Sequence, residues 1–557
     1  MNNWIHSFDD PLTDKTNQTL IGNKGYNLCL MHGLGLPIPE GFIINSDASR
    51  FFIENSKFDK DFDDILKKNL KKIEEKTNLE IGNNKKPLIL SIRSGSKISM
   101  PGMLDTILNI GLTKEIVKSL STNGNNFFAF DTWRRFIQMY SHVVYKIDNY
   151  DFDEILENYL LGANLSSVSQ LDHEDLEEIC DMYLSLFKER VGKEFPNDPY
   201  EQIKEGIIAV INSWNNERAI SFRNINNIPS EIGFAVTIQR MVFGNLNTKS
   251  ASGVIFTRNP DTGENKIKGE YLIESQGEDI VSGFVTPKNI NEINDKKDSF
   301  IDIFPDAYSE IKEISKQLES FFGFVQDIEF TIESERLWIL QSRDAEINAH
   351  SSFKILNDMV NEKIINKVEA IKLIKEDHIE NSLFPILDNS QELNILTKGL
   401  PASPGVIGGK VVFNLEGIQS VKNEGKNAIL ALLDTKTNDI KAMHSSDGIL
   451  TSRGGLTSHA AVVARGLGKP CVTGAREVDV NLEKKIIIIN NFSVSEFEEI
   501  TLNGHTGEVI EGVAKTKPQD PPPELKEILD WCRGIILDKK VKDSLEIIKK
   551  AKSKVSS

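Results

Sequence analysis

The chain has 557 residues, enough for about three to five domains, and its 39% hydrophobic and 26% charged residues are those of an ordinary globular chain rather than a collagen, a coiled coil or a disordered segment. Its 82 acidic against 65 basic side chains leave a formal charge of −17. Such a surface repels phosphate backbones and anionic lipid, which argues against a general nucleic-acid or membrane binder and requires any anion site to be built from local positive groups. No run of about 18 apolar residues marks a membrane span, and the opening MNNWIHSFDDPLTD lacks the basic-then-apolar pattern of a secretory signal. Cys29, Cys180, Cys471 and Cys532 are too scattered for a zinc cluster or a disulfide framework. They fit a reducing compartment, so a cytoplasmic location is expected.

Along the chain, residues 1–110 mix short apolar runs with turns, and PLILSIRSG (87–95) reads as a strand ending in a polar loop. Residues 113–225 read as mostly helical. Leu176, Ile179, Cys180, Tyr183, Leu184 and Phe187 form an amphipathic stripe, which makes Cys180 a packed thiol. Residues 232–344 return to strands, with NPDTGENKIKGE (259–270) as a hairpin turn; its glycine falls one position early for a calcium loop. Residues 346–395 look like a polar, helical, solvated connector. GLPASPGVIGG (399–409) is a dense turn cluster that opens a domain, residues 400–512 alternate strands with short helices, KPQDPPP (517–523) is a second linker, and 524–557 is a Lys-rich helical tail. The predicted class is α/β. The expected domains are 1–345 with a helical part at about 113–225, a helical linker at 346–395, a central domain at 396–514, and a linker and tail at 515–557.

The first chemical signal is FVQDIEFTIESERLWILQSRD (324–344). On a strand Asp327 and Glu329 share one face. A pair of like charges is costly there unless something cationic lies between them, and such pairs hold Mg²⁺ beside substrate phosphates. Glu333 to Arg336 reads as a turn, after which Gln341 and Arg343 again share a face. A solvated sheet face with an Asp327–Arg343 surface ion pair is the plainer alternative. Two further segments favour anion chemistry: IGNKGYNLCLM (21–31) presents Lys24 on a flexible turn ahead of a helix, and SIRSGSKISMPGMLDT (91–106) puts Arg93 at a strand end with Lys97 beyond it. Neither is a Walker loop, since no GxxxxGK[ST] occurs.

The second signal is TSRGGLTSHAAVVARGLGKPCVTG (451–474). Gly454-Gly455 makes a tight turn, Thr457 and Ser458 are helix caps, and AAVVAR is the helix. His459 then lies in the first helical turn. The positive end of the dipole disfavours an imidazolium there, keeps the ring neutral and nucleophilic, and stabilises a phosphoryl group carried on it. The alternative is a histidine that merely caps or packs the helix start.

These residues match a family. GGLTSHAAVVARGLGKPCV closely resembles the phosphohistidine signature of pyruvate phosphate dikinase, and GLPASPGVIGGKVVF resembles the start of that family's swivelling histidine domain. GNKGYNL, LSIRSGSKISMPGMLDT, RRFIQMY, SGVIFTRNPDTGE, YLIESQGEDIVSG and DIEFTIESERLWILQSR are similar, in order, to its ATP-grasp nucleotide domain, so the likeness covers residues 4–535. The related phosphoenolpyruvate synthase pattern has Arg-Thr-Cys where this chain has Leu456-Thr457-Ser458. The resemblance implies that Lys24, Arg93, Lys97, Asp327, Glu329, Gln341 and Arg343 bind ATP and Mg²⁺, the metal at Asp327 and Glu329, and that Gln239 and Met241 lie near the adenine hinge. It implies that His459 attacks the β-phosphorus and releases AMP, and that the terminal phosphoryl group passes to inorganic phosphate, giving pyrophosphate and a monophosphorylated ring. Thr457 matches the threonine phosphorylated in regulated members.

Lys97 stands where the family has an arginine, losing the bidentate fork; Asn23 and Tyr26 stand where it has Gly and Ala. The match fades after ILDWCRG, and the 42 residues beyond 515 are short of the roughly 250 that a (β/α)₈ barrel needs. A chain without the family's pyruvate barrel, its dimer contacts and its barrel cysteine is therefore expected, a monomer running ATP + Pi ⇌ AMP + PPi. The phosphoryl group is destined for pyruvate, to form phosphoenolpyruvate, on a barrel domain absent from this chain; in the split-enzyme alternative a separate pyruvate-binding protein supplies it. The alternatives are the phosphocarrier half of a split enzyme docked through the Lys-rich tail, an inactive or regulatory ATP-binding remnant, and a kinase of a small molecule like the related antibiotic phosphotransferases.

Overall fold

The computed structural model describes residues 4–13, 18–98, 100, 102–122, 124–225, 228–230, 233–281, 286–291, 299–375, 378–379, 386–388, 390–435, 439–456, 458–490, 492–517, 522–536 and 544–556. Helices and sheets are mixed throughout, as an α/β chain requires. The chain divides into two compact units, Met1–Ser250 with Thr331–Ser342, and Ala251–Phe330 with Arg343–Ser557.

The first unit is built on strands Ile5–Ser7 (β1), Gly41–Ile44 (β2), Leu90–Gly95 (β3), Thr106–Ile110 (β4) and Ala235–Arg240 (β5), ordered β1-β2-β5-β3-β4 and antiparallel throughout. The long excursion between β4 and β5 is helical. Its helix His173–Val191 begins at an Asp172/Asp175 capping box and stops at Gly192, whose φ of 78° suits glycine. It buries the predicted stripe of Leu176, Ile179, Cys180, Tyr183 and Phe187. Burial pushes the Cys180 thiol far up, leaving it inert.

The segment around Lys24 differs from the expected flexible turn. Residues Gln18–Gly33 form one helix broken at Gly22, which sits at φ 69° and ψ 160°. A Cβ on Gly22 would lie 2.2 Å from the Gly95 carbonyl oxygen, and the next amide, Asn23 N–H, donates to Ser96 O at 3.0 Å. The kink is thus a fixed docking of the Lys24 segment onto the loop that follows β3. Gly22→Ala is expected to destabilise the first unit by about 3 kcal/mol, combining backbone strain with the clash. Urea unfolding of the variant checks this; an unchanged midpoint would contradict it.

A second five-stranded sheet consists of strands Ala251–Phe256 (β6), Lys268–Ile273 (β7), Lys288–Asn289 (β8), Gln326–Glu333 (β9) and Arg336–Asp344 (β10) in the order β10-β9-β6-β7-β8. The tip of the β9–β10 hairpin, Thr331–Ser342, is grouped with the first unit. Its turn falls at Ser334 (φ 48°) and Glu335 (φ 71°), the left-handed pair of a two-residue hairpin. The β6–β7 connection is likewise the predicted turn: Asn259 Oδ1 accepts from the amides of Asp261 and Thr262.

Beyond a short strand Ile386–Leu387 (β11) lies an eight-stranded sheet. Its strands are Ile395–Lys398 (β12), Leu400–Ser403 (β13), Val406–Val412 (β14), Ala428–Leu432 (β15), Gly448–Thr451 (β16) and Cys471–Thr473 (β17), then, after a meander of Val478–Asn481 (β18), Ile486–Ile489 (β19) and Phe492–Ser495 (β20), Glu499–Asn503 (β21) and Glu508–Glu511 (β22). The order is β12-β22-β21-β14-β15-β16-β17-β13, with β14 to β17 parallel neighbours. Helices Leu415–Asn423, Ile440–Ser445 and His459–Gly466 make the crossovers. The strands are apolar on both sides, as buried parallel strands are. Val412, Leu430, Ile449 and Cys471 pack with the helices, and Val411, Ile429, Leu450 and Val472 pack with the meander.

Two expectations need correction. Residues 346–395 are not simply a solvated connector, and the Lys-rich tail is not a free helix. Helices Ala349–Asn361 and Lys367–Leu373 share one core with Pro523–Ile536 and Ser544–Ser556, burying Phe353, Leu356, Met359, Ile528, Ile547 and Ile548. Lys552 Nζ donates to Ile374 O at 2.7 Å, and Asn357 donates to Glu527 at 2.6 Å. Lys549 and Lys550 are exposed beside the buried Ile547, Ile548 and Ala551, so a lysine-rich composition reads as solvated where an apolar stripe seals the other face. Thr516–Lys517 (β23) pairs antiparallel with β11, joining the stretches on either side of the eight-stranded sheet. Residues 518–521 of the predicted second linker lie outside the described residues. Among the described residues no helix is long and apolar enough to cross a membrane.

Candidate active site

In the first unit, β3 and β5 pair Arg93 with Thr237 and Ser91 with Gln239, placing Arg93 and Gln239 on one face. Arg93 Nη1 donates to Gln239 Oε1 at 3.4 Å and to Leu340 O at 3.2 Å, and Nη2 donates to Gln341 Oε1 at 3.4 Å. The sequence-predicted Arg93, Gln239 and Gln341 are therefore one cluster. These bonds are long, and together they hold the guanidinium fork in place. Gln239 Nε2 is fixed on Pro39 O at 3.0 Å. Met241 N–H donates to Ile89 O at 2.8 Å, anchoring the segment that leaves β5. Lys24 lies in the first turn after the Gly22 kink, next to Gly95 at the end of β3. Lys97 is exposed on the loop past β3.

In the second unit, β9 sets Asp327 and Glu329 on the same face, and β10 brings Arg343 across to them. Arg343 Nε and Nη2 both reach Asp327 Oδ2, at 2.9 and 2.8 Å. The plainer reading, a surface ion pair, does not describe this contact: Asp327 is only 6% exposed, and its Oδ1 is buried with no hydrogen-bond partner. Burial pushes the Asp327 carboxyl up against the pull of Arg343, and the charge of Glu329 adds to the push. Asp327 in turn holds the Arg343 guanidinium charged. An unsatisfied buried carboxylate oxygen beside a second carboxylate fits a hard cation. Among the described residues no group of three or more His, Cys, Asp or Glu could hold a metal. Two carboxylates are the number of protein ligands that Mg²⁺ takes when water and substrate phosphate complete its shell.

His459 opens the helix His459–Gly466 after the loop that leaves the carboxyl end of β16, the edge where α/β sheets bind ligands. Ser458 is the N-cap, and its Oγ accepts from Ala461 N–H at 3.4 Å. Ala460, Ala461 and Ala464 are buried, and their small side chains let the helix lie close to the sheet. Burial lowers the ring's pKa from its ordinary 6.5, and its Nε2 is enclosed with no hydrogen-bond partner. The ring is thus neutral at pH 7 with one nitrogen uncommitted. Thr457 lies outside the described residues.

Residues absent from the sequence-level reading surround this helix within the second unit. Glu270 on β7 accepts Leu456 N–H at 3.0 Å, and a Cβ on Gly455 would come within 2.6 Å of its carboxylate, so a side chain there would have to displace Glu270. Arg465, 5% exposed, donates to Leu456 O and lies 3.7 Å from Asp261, an ion-pair distance too long for a hydrogen bond. The Arg465 guanidinium also helps pull the Asp327 carboxyl down. The histidine helix and the acidic strand β9 therefore lie within electrostatic reach of each other. No local pattern marks Glu270 or Arg465, because their partners are almost 200 residues away in sequence for one and depend on the turn at Asp261 for the other.

The family model described as "Pyruvate phosphate dikinase, AMP/ATP-binding domain" matches residues 58–302 and 291–363, and that described as "PEP-utilising enzyme, mobile domain" matches residues 424–507. Pyruvate, phosphate dikinase of Rickettsia prowazekii is 42% identical over 540 residues, which are 96% of this chain and 61% of that protein. Pyruvate, phosphate dikinase 1, chloroplastic, of Arabidopsis thaliana is 40% identical over 94% of this chain and 54% of its own length. Pyruvate, phosphate dikinase of Rhizobium meliloti is 39% identical over 96% and 60%. The chain thus spans little more than half the length of these curated relatives. With more than half of its residues matched by the nucleotide-domain model, the chain belongs to the pyruvate phosphate dikinase family.

Proposed function

We propose that this chain carries the nucleotide half of the dikinase reaction, ATP + Pi ⇌ AMP + PPi, through a phosphorylated His459. Lys24, Arg93, Lys97, Gln341 and Arg343 bind the triphosphate, and Gln239 and Met241 lie toward the base. His459 Nε2 attacks the β-phosphorus, the bond to the bridging oxygen of the α-phosphate breaks, and AMP leaves. Inorganic phosphate then attacks the terminal phosphorus, pyrophosphate departs, and one phosphoryl group stays on the ring. Asp327 and Glu329 hold Mg²⁺, which when bound neutralises charge on the phosphates. The helix N-terminus supplies amide donors and a favourable dipole to the phosphorylated ring. A phosphoryl-bearing ring is then a donor that a pyruvate-binding partner domain can unload, forming phosphoenolpyruvate. Because Nε2 is enclosed, transfer requires the ring to be uncovered before it meets the nucleotide.

The observation that carries this reading is the neutral, unpartnered Nε2 on a helix within electrostatic reach of the unsatisfied carboxylate of Asp327. Incubation with β-labelled ATP and Mg²⁺ followed by peptide mapping tests it. The label is expected on the peptide containing His459, stable in alkali and lost in acid; label on another residue would refute the assignment. The pH dependence carries a sign of its own. Burial depresses the ring's pKa, so the nucleophile stays unprotonated below 6.5. The rate of phosphoenzyme formation is expected to hold level from pH 8 through 6.5 and to drop about tenfold per unit only beneath the lowered value. A break at or above 6.5 in stopped-flow quench data would contradict a buried neutral ring. The same depression means that protonation opposes folding, so this group's contribution to stability is lost as pH falls through the lowered value.

A further inference from the structure

The helix Gln18–Gly33 buries Ile21, Leu28 and Met31, and with them one side-chain amide: Asn27 is 7% exposed. Burying an amide costs free energy unless its polar atoms are satisfied. Asn27 Nδ2 donates to Ser342 O at 2.8 Å, across 315 positions of sequence and within the first unit. Ser342 is itself buried, and it stands between Gln341 and Arg343 on β10. Asn27 follows Lys24 by three residues, so the two are neighbours on the surface of the helix. The Lys24 segment is fixed from a second direction as well. Asn23 N–H donates to Ser96 O at 3.0 Å, and a Cβ on Gly95 would lie 3.3 Å from the Lys24 Cβ. Arg93, two residues before Gly95 on β3, donates to Leu340 O at 3.2 Å and to Gln341 Oε1 at 3.4 Å. The stretch 340–342 is thus tied at its first carbonyl to the strand of Arg93 and at its last to the helix of Lys24, with Gln341 between the two ties.

We propose that Asn27 is a positioning residue whose bond to the Ser342 carbonyl sets the spacing between Lys24 and Gln341, and so the grip on a triphosphate. The inference rests on the triphosphate-binding reading above and deepens it. Asn27 itself touches no phosphate; it acts through the two segments that it joins. A triphosphate held by Lys24, Arg93 and Gln341 needs side chains from three elements at once, and such a set loses its hold when one element drifts by about 1 Å.

The test is a double-mutant cycle in the full chain, read by calorimetry as the Kd of Mg·ATP and of inorganic tripolyphosphate. Asn27→Leu keeps the volume and removes the donor; it is expected to raise both Kd values about tenfold. In a Lys24→Ala background the same change is expected to cost less than about twofold, because the lysine that Asn27 places is gone. If Asn27→Leu does not fold, Asn27→Ser, too short to reach the carbonyl, completes the cycle. A loss of equal size in both backgrounds would make Asn27 a structural residue only and overturn the proposal while leaving ATP binding intact. Unchanged affinities in Asn27→Leu would overturn it too. A Lys24→Ala chain that binds both probes as tightly as wild type would overturn the placing of Lys24 in the site, and the proposal with it.

Discussion

His459→Ala is expected to abolish phosphoenzyme formation from β-labelled ATP, a loss of more than about 10⁴-fold, while ATP binding stays within a few-fold of wild type. The size follows from chemistry: with no imidazole nitrogen there is no group to carry the phosphoryl between two reactions, so nothing partial remains. The retained binding follows from geometry. Arg93, Gln239 and Gln341 form a cluster in the first unit, whereas His459 belongs to the second, held by Ser458, Glu270 and the eight-stranded sheet. The fold is expected to tolerate the change, because the Nε2 of the ring makes no hydrogen bond that alanine would break. Quenched labelling beside a nucleotide-binding titration separates these outcomes. Labelling that survives in the alanine variant would assign the phosphoryl group elsewhere.

Asp327→Asn is expected to cost more than about 10²-fold in transfer and to raise the Mg²⁺ concentration for half-maximal rate at least about tenfold. Its buried Oδ1 is the unsatisfied acceptor in the acidic pair, and an amide nitrogen turned toward a cation is repulsive. The stability effect is expected to be small, within about 1 kcal/mol. Burial already pushes the Asp327 carboxyl up, so the fold favours its neutral form, and the asparagine oxygen still accepts from Arg343. A variant with normal Mg²⁺ dependence would remove Asp327 from the metal site. One that unfolds outright would show the Asp327–Arg343 pair to be structural instead.

Local rules explain which parts of this molecule could be read in advance. The β9–β10 turn, the 173–191 helix stripe and the histidine helix are each specified by neighbours within a few residues: left-handed turn positions, a capping box, glycines bracketing an alanine-rich run. The clustering of Arg93 with Gln341 was visible only through the family likeness, because it depends on pairing across 248 residues. The kink at Gly22 was hidden for a different reason: both flanks are good helix, and the break exists because the Gly95 carbonyl lies against it. The tail was misjudged because a helix with many lysines looks solvated until its other face is known to meet Phe353 and Leu356. Glu270 and Arg465 lie on a strand and a helix as ordinary charged residues. Their distant partners, the Leu456 amide for one and Asp261 for the other, have no signature in residue type.

The central claim is that nucleotide and phosphate are interconverted through a covalent intermediate on this chain, and equilibrium isotope exchange tests it most directly. Labelled AMP is mixed with ATP, Mg²⁺, phosphate and pyrophosphate, in the absence of pyruvate. The account predicts label moving into ATP, dependent on Mg²⁺ and absent in His459→Ala. Label that remains wholly in AMP, or ADP appearing as the product, would contradict it.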